Sequence, residues 1–264
     1  LKPEDFYTRY VQRLFIDDLQ KMELAEKLLP LCSNLMSLAC WARPDASSQT
    51  ILRSLLSPDT PSLPRLRRLS IYWGCLPIDY QSFHHPIFRN LTHLDIDFDP
   101  HIRWEVLALL ENLKYFNLDC ISACSRVQNV KEATEGLETI IKLIIPYLPI
   151  SLRCFLVLAP SSIIGRILFS HGDDACDAQQ FCSDIVSGEY DVRLVLGSSP
   201  AIPMPPKWEH GQGQQDFVHS IVPVPYNLHA WAYLAPGHTD FWMEAEGIVE
   251  ERRRKLKNRS PERI

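Results

Sequence analysis

The sequence predicts an α/β fold of stacked strand–helix units, and three observations carry that prediction. The first is a cadence, L-x-x-L-x-I, set by Leu66, Leu69 and Ile71. It returns at Val11-Leu14-Ile16, Leu35-Leu38-Cys40, Leu91-Leu94-Ile96, Leu113-Phe116-Leu118 and Leu152-Phe155-Val157. The second is its spacing: the first positions fall at residues 11, 35, 66, 91, 113 and 152, at intervals of 22 to 39 residues. The third is a change of period. Within a copy apolar residues alternate, as in a half-buried strand, while between copies they recur every three or four residues, as in a helix.

A short strand returning every roughly 20–29 residues with this cadence is the pattern of a leucine-rich repeat, and the longer intervals need insertions. Each unit buries its apolar face only by stacking on its neighbours. The expected architecture is therefore an irregular leucine-rich-repeat solenoid, with a parallel sheet on the concave face and helices on the convex face. Residues 1–197 form the solenoid in this reading; residues 198–264 add a proline-rich loop and a C-terminal helix, packed on the solenoid or trailing from it.

The elements follow in order. Each cadence copy supplies a strand. Helices are expected over Met22 to Leu31, Ser48 to Leu56, Ile102 to Leu110 and Ala133 to Tyr147, because a parallel pair needs a long return connection. Gly74 to Pro86 reads as a long connection. After Val157 the pattern weakens: Cys176 to Val186 looks helical, and Asp191 to Leu196 alternates like a last strand. Gly197 to Pro225, with its PMPPKW and GQGQQ strings, reads as an extended loop. Asp240 to Lys257 closes the chain as a helix, with Thr239 or Asp240 as N-cap and a basic last turn that complements the helix dipole.

Composition narrows the partners. A net charge of −5 argues against nucleic acid, and no apolar run reaches the roughly 18 residues of a membrane span. Eight cysteines without a C-x-x-C pair suit a reducing compartment better than a disulfide framework, so the expected location is cytoplasmic or nuclear. The chain opens Leu1-Lys2-Pro3 with no signal-peptide pattern, as an excerpt of a longer protein would.

The strings LLPLCSNLMSLACW, LPRLRRLSI and NLTHLDID resemble the degenerate leucine-rich-repeat regions of F-box-type proteins of mushroom-forming fungi. The ending DFWMEAEGIVEERRR resembles the closing segment of the same group. The resemblance implies the substrate-receptor region of a ubiquitin ligase. It also implies a Skp1-type adaptor, but only if an F-box lies upstream of Leu1, because none stands before Tyr10.

Alternation sends one set of strand residues outward into columns on the concave face. One column is Asp17, Trp41, Tyr72, Asp97, Asp119 and Leu158; the next is Phe15, Ala39, Ser70, Asp95, Asn117 and Leu156; a third is Arg13, Ser37, Arg68, His93, Tyr115 and Cys154. The candidate partner-binding residues are Trp41, Arg68, Tyr72, Asp95, Asp97, Tyr115, Asn117 and Asp119. Aromatic anchors beside charge suit a protein target, one that offers basic groups to Asp95, Asp97 and Asp119.

Chemistry leaves little trace. There is no H-E-x-x-H pair and no regular Ca²⁺ loop, and His84-His85 and Ser170 to Asp177 read as surface loops. No G-x-S-x-G elbow or phosphate loop occurs, Gly197-Ser198-Ser199-Pro200 reads as a turn, and nothing holds Cys120 or Cys124 to a histidine. Neither a catalytic residue nor a cofactor or metal is expected. The basic run Arg252 to Lys257 reads as a solvated helix end rather than an import signal. The expected function is non-catalytic protein recognition; a degenerate gene product without a partner, and an enzyme on a repeat scaffold, are the competing readings.

Overall fold

The computed structural model describes residues 3–16, 24, 27–41, 63–75, 83–84, 86–124, 129–169, 173–199, 221–224 and 241–259. The expectations for Asp17, Ser48 to Leu56, His85, the histidine string from 170 to 172, Pro200, the glycines at 211 and 213 and the N-cap at 239–240 lie outside them. Among the described residues, eight strands form an open parallel sheet whose order is the order of the chain, so the α/β class holds. The chain divides into two compact units, Leu1–Phe116 with Tyr147–Ser151, and Asn117–Pro146 with Leu152–Ile264. The division falls inside a strand.

In the first unit, strands β1 (Arg13–Ile16), β2 (Ser37–Cys40), β3 (Arg68–Ile71) and β4 (His93–Asp97) pair in parallel. The register puts like on like. Leu14, Leu38, Leu69 and Leu94 stand in one row, and Ile16, Cys40, Ile71 and Ile96 in the next. From β2 onward every member of both rows is buried, which is why the cadence needs large apolar groups there. Strand β5 (Tyr115–Asp119) starts in this unit, where the Lys114 and Tyr115 N–H groups both donate to the Thr92 carbonyl.

A tight turn precedes each of the strands β2 to β5. The N–H groups of Leu35, Leu66, Leu91 and Leu113 donate to the carbonyls of Cys32, Leu63, Phe88 and Leu110, all at 3.0 to 3.1 Å. The first cadence leucine closes this turn, and its buried side chain pins it to the core. Side chains just before it stitch one turn to the preceding one: Asn34 Nδ2 donates to the Thr8 carbonyl, Asn90 Nδ2 to Pro64, Asn112 Nδ2 to Arg89 and Ser151 Oγ to Leu113.

The return segments differ from expectation. The helix predicted over 102–110 is a 3₁₀ helix, Trp104–Leu109; of the helix predicted over 22–31, residues 24, 27 and 28 are α-helical as expected and Leu29–Leu31 follow as a 3₁₀ turn. Further 3₁₀ turns stand at Trp73–Cys75 and Pro86–Phe88. Only a short chain separates β4 from β5. Six residues of 3₁₀ helix cover about 12 Å against about 9 Å for an α-helix, so the tighter coil spans the gap. Helix α1 (Glu4–Tyr10) was not predicted; Thr8 Oγ1 ties it to the Leu31 carbonyl at 3.0 Å.

The second unit carries the short helix α2 (Ile121–Cys124) and the longer helices α3 (Val130–Ile144), α4 (Ser161–Phe169), α5 (Asp173–Ser187) and α6 (Phe241–Arg259), with strands β6 (Cys154–Pro160), β7 (Leu194–Ser199) and β8 (Ile221–Pro223). Helix α3 starts earlier than predicted because Asn129 caps it, accepting from the Lys131 N–H at 2.7 Å. It ends before Pro146, which cannot continue an α-helical ladder, and the chain turns through the 3₁₀ residues Ile145–Tyr147.

Helix α5 ends in a Schellman turn: the Glu189 N–H donates to Asp184 and the Gly188 N–H to Ile185, with Gly188 at φ +83°. Strand β7 begins three residues later than predicted, because Asp191 forms a turn with its carboxylate on the Arg193 N–H and its carbonyl on the Leu194 N–H. It also runs through Gly197 and Ser198, where the sequence pattern predicts a turn. A Cβ on Gly197 would lie 3.0 Å from Val224 Cγ2 and 3.2 Å from Leu156 Cδ1, so this glycine admits close packing and does not break the strand. Strands β6, β7 and β8 are parallel in that order, and the predicted extended loop therefore contains a strand at 221–223. Helix α6 packs on β6, β7 and β8, burying Trp242, Ala245 and Val249 along one face. No described helix is long and apolar enough to cross a membrane.

Candidate functional site

The columns read from alternation form on the strands of the first unit. Arg13, Ser37, Arg68 and His93 share one register row, and Phe15, Ala39, Ser70 and Asp95 the next. Burial, however, is uneven. Trp41, Arg68, Tyr72, Asp95 and Tyr115 are half-buried, while Ser37, Ser70 and Asp97 are buried.

Side-chain bonds across the columns explain this. Trp41 Nε1 donates to Ser70 Oγ at 2.6 Å, and Ser70 Oγ donates onward to Asp95 Oδ2 at 2.6 Å. Each bond polarises the next, and the chain ends on a carboxylate. Its effect is to lay the indole across the strands over Ser70. Serine fits that position because it accepts and donates in one small group.

Beside it, the His93 and Tyr115 rings stack with centroids 4.5 Å apart and planes 20° apart. His93 Nδ1 lies 2.9 Å from Thr92 Oγ1. Burial, with the charges of Arg68 and Lys114, lowers the imidazole pKa to about 3, so the ring is neutral near pH 7 and stacks as an aromatic. Trp41, Arg68, Tyr72 and Tyr115 are thus half-buried side chains of this unit, with Trp41 held by its bond to Ser70 and Tyr115 by its stack on His93.

The acidic set is less available than alternation suggests. Asp97 Oδ1 accepts the N–H of Trp73, the fully buried residue that opens the 3₁₀ turn after β3. Asp97 is thus a fastening for backbone, where the sequence suggested a solvated carboxylate. In the second unit, Asn117 is buried, and Asp119 Oδ1 accepts the Ile121 N–H at 2.7 Å, where α2 begins. Asp119 and Asn117 stand in that unit and Trp41, Arg68, Tyr72, Asp95, Asp97 and Tyr115 in the first.

Cys32, Cys40, Cys120, Cys124, Cys154 and Cys182 are buried thiols. Burial lifts the Cys124 thiol to about 11, with help from the Asp119 charge, and the Cys154 thiol to about 12. A thiol held protonated is the reverse of an activated nucleophile. Among the described residues no three His, Cys, Asp or Glu side chains gather as metal ligands.

The sequence reading passed over Ser70 as a bridge, Trp73 as the partner of Asp97, and the Asn34–Asn90–Asn112 stitch. A signal for the stitch was present, since asparagine stands directly before the first cadence leucine in three of the six copies. Comparison with family models, with curated proteins and with solved structures gave no match.

Proposed function

We propose that this chain is a non-catalytic protein-recognition module built as an irregular leucine-rich-repeat solenoid. The observation that carries the reading is the in-register repetition in the first unit. Four parallel strands repeat their core rows, and the turn before β2, β3, β4 and β5 repeats one hydrogen-bond scheme. Repetition of this kind makes a rigid face of side chains from separate units, which suits binding with little ordering cost.

The binding residues are Trp41, Tyr72 and Tyr115 as aromatic anchors with Arg68 beside them. Asp95 and Asp97 already accept hydrogen bonds from the chain itself, so they shape the face and add charge to it; Asp119 does the same for the backbone of the second unit. By its sequence resemblance the module is the substrate-receptor region of an F-box-type protein, working in the cytoplasm or nucleus. Its mechanism is geometric: a target held on the face gains effective concentration near a ligase.

The test is affinity capture of the full-length product from its own cells with mass spectrometry, run on wild type and on Trp41→Ala/Tyr115→Ala. Capture of an adaptor and a cullin, together with further proteins lost in the double variant, supports the reading. Further proteins retained equally by a folded double variant would refute the face. An absence of ligase components would refute the receptor role.

A further inference from the structure

The basic run at the end of α6 holds one residue that the sequence misplaced. Trp242, Ala245, Val249 and Arg252 recur at helical spacing along the face that packs on the strands, and Arg252 is only 5% exposed. Its Nη1 donates to the Leu194 carbonyl. Its Nε and Nη2 are buried and meet no hydrogen-bond partner.

Those two nitrogens form one edge of the guanidinium, the side-on fork that matches the two oxygens of a carboxylate or phosphate. The same unit shows the fork filled at the residue just before Leu194. Arg193 Nε and Nη2 hold Asp191 Oδ1 and Oδ2 at 2.9 and 2.7 Å. Among the described residues no such oxygens meet the Arg252 fork. The nearby carboxylates are engaged elsewhere, Asp191 by Arg193 and Glu246 by Arg153 at 3.2 Å. Cys154 also acts on Arg252, but its thiol is held neutral and supplies no counter-charge. Arg253 adds a further positive charge toward Cys154 and Asp191. A buried charge with an empty fork is a costly arrangement unless an anion completes it.

We propose that the Nε–Nη2 edge of Arg252 is a binding site for a small oxyanion, a carboxylate or a phosphate, held bidentately between α6 and the start of β7. The Leu194 carbonyl fixes the guanidinium plane from the other side. Because the fork is closed from solvent, the anion enters as the unit folds or as α6 opens, so binding reads out at equilibrium as stability.

The experiment is thermal unfolding of the full chain in 0.2 to 20 mM sodium phosphate, sodium acetate or sodium chloride at matched ionic strength. It compares wild type with Arg252→Met and with Arg252→Lys, which keeps the charge and loses the fork. In wild type, phosphate or acetate should raise Tm by roughly 3 to 5 °C for each tenfold step above half-saturation, and whichever acts identifies the source of the two oxygens. Arg252→Met should lose the response and melt no lower than wild type without anion. If Arg252→Met does not fold, Arg252→Lys decides, and it should lose most of the response. A wild-type response equal to that in chloride, or equal to that of the folded variant, would overturn the site, because general salt exclusion acts on both alike.

Discussion

Replacing Asp97 by alanine separates a structural carboxylate from a solvated one. Asp97 and Trp73 are both buried, and the Trp73 N–H has Asp97 Oδ1 as its acceptor. Alanine removes that acceptor and opens no route for water, so the N–H is left unmet at about 1–3 kcal/mol, with the upper half of the range expected for a charged acceptor. At roughly 2–4 °C of Tm per kcal/mol for a chain of this size, the loss is about 4–12 °C. Asp97→Asn keeps an oxygen in place and should cost less than half as much. Asp95→Ala, on a half-buried residue whose partner hydroxyl is free to turn, should cost about 1 kcal/mol. Urea unfolding gives the order, and hydrogen exchange over residues 71–75 gives the cause, since the Trp73 amide should lose protection in Asp97→Ala alone. An Asp97→Ala protein within 0.5 kcal/mol of wild type, with that amide still protected, would show that Asp97 belongs to the solvated face.

Three further outcomes follow from single positions. Gly188→Ala should lower stability by about 1–2 kcal/mol in urea unfolding, because the cost lies in its left-handed φ of +83° and its new methyl meets only ordinary contacts. Gly197→Ala should cost about 1–3 kcal/mol by overpacking against Val224, Leu156 and Leu158, and pairing it with Val224→Ala should recover part of that. His93 should make stability fall as pH drops from 6.5 toward 3, because the unfolded imidazole takes a proton that the folded one refuses. His93→Gln should flatten the wild-type curve in that window by up to about 1.4 kcal/mol per pH unit, read from urea midpoints at each pH; parallel curves would place the ring in solvent.

How far the sequence reveals the fold depends on the range of the interaction involved. The six cadences mark strands at their correct places because the period is local: Leu69 and Ile71 must face one side whatever surrounds them. Register was legible for the same reason, since like rows stack only when cadences align. The return segments were not. Apolar residues from Ile102 to Leu110 satisfy a helical period, but the span they cross selects a 3₁₀ helix, and span is not written in a period. Strand β8 and the glycine inside β7 were missed because Gly197 looks like a breaker until Val224, Leu156 and Leu158 close around it.

The candidate face was legible in its columns and illegible in its burial. Alternation sends Asp95 and Asp97 to the same side of β4, and only the neighbouring turn tells them apart: the chain after Ile71 curls back as Trp73–Cys75 and places an N–H on Asp97, while Asp95 meets Ser70 under the Trp41 ring. The same logic governs Arg252. Composition marks it as one of a basic run, yet counting back along α6 by three, seven and ten gives Val249, Ala245 and Trp242, all buried. The period that identifies the apolar face therefore includes an arginine in it. A charge on that face must either bring a partner or reduce stability, which is why the Arg252 fork separates a binding site from a defect.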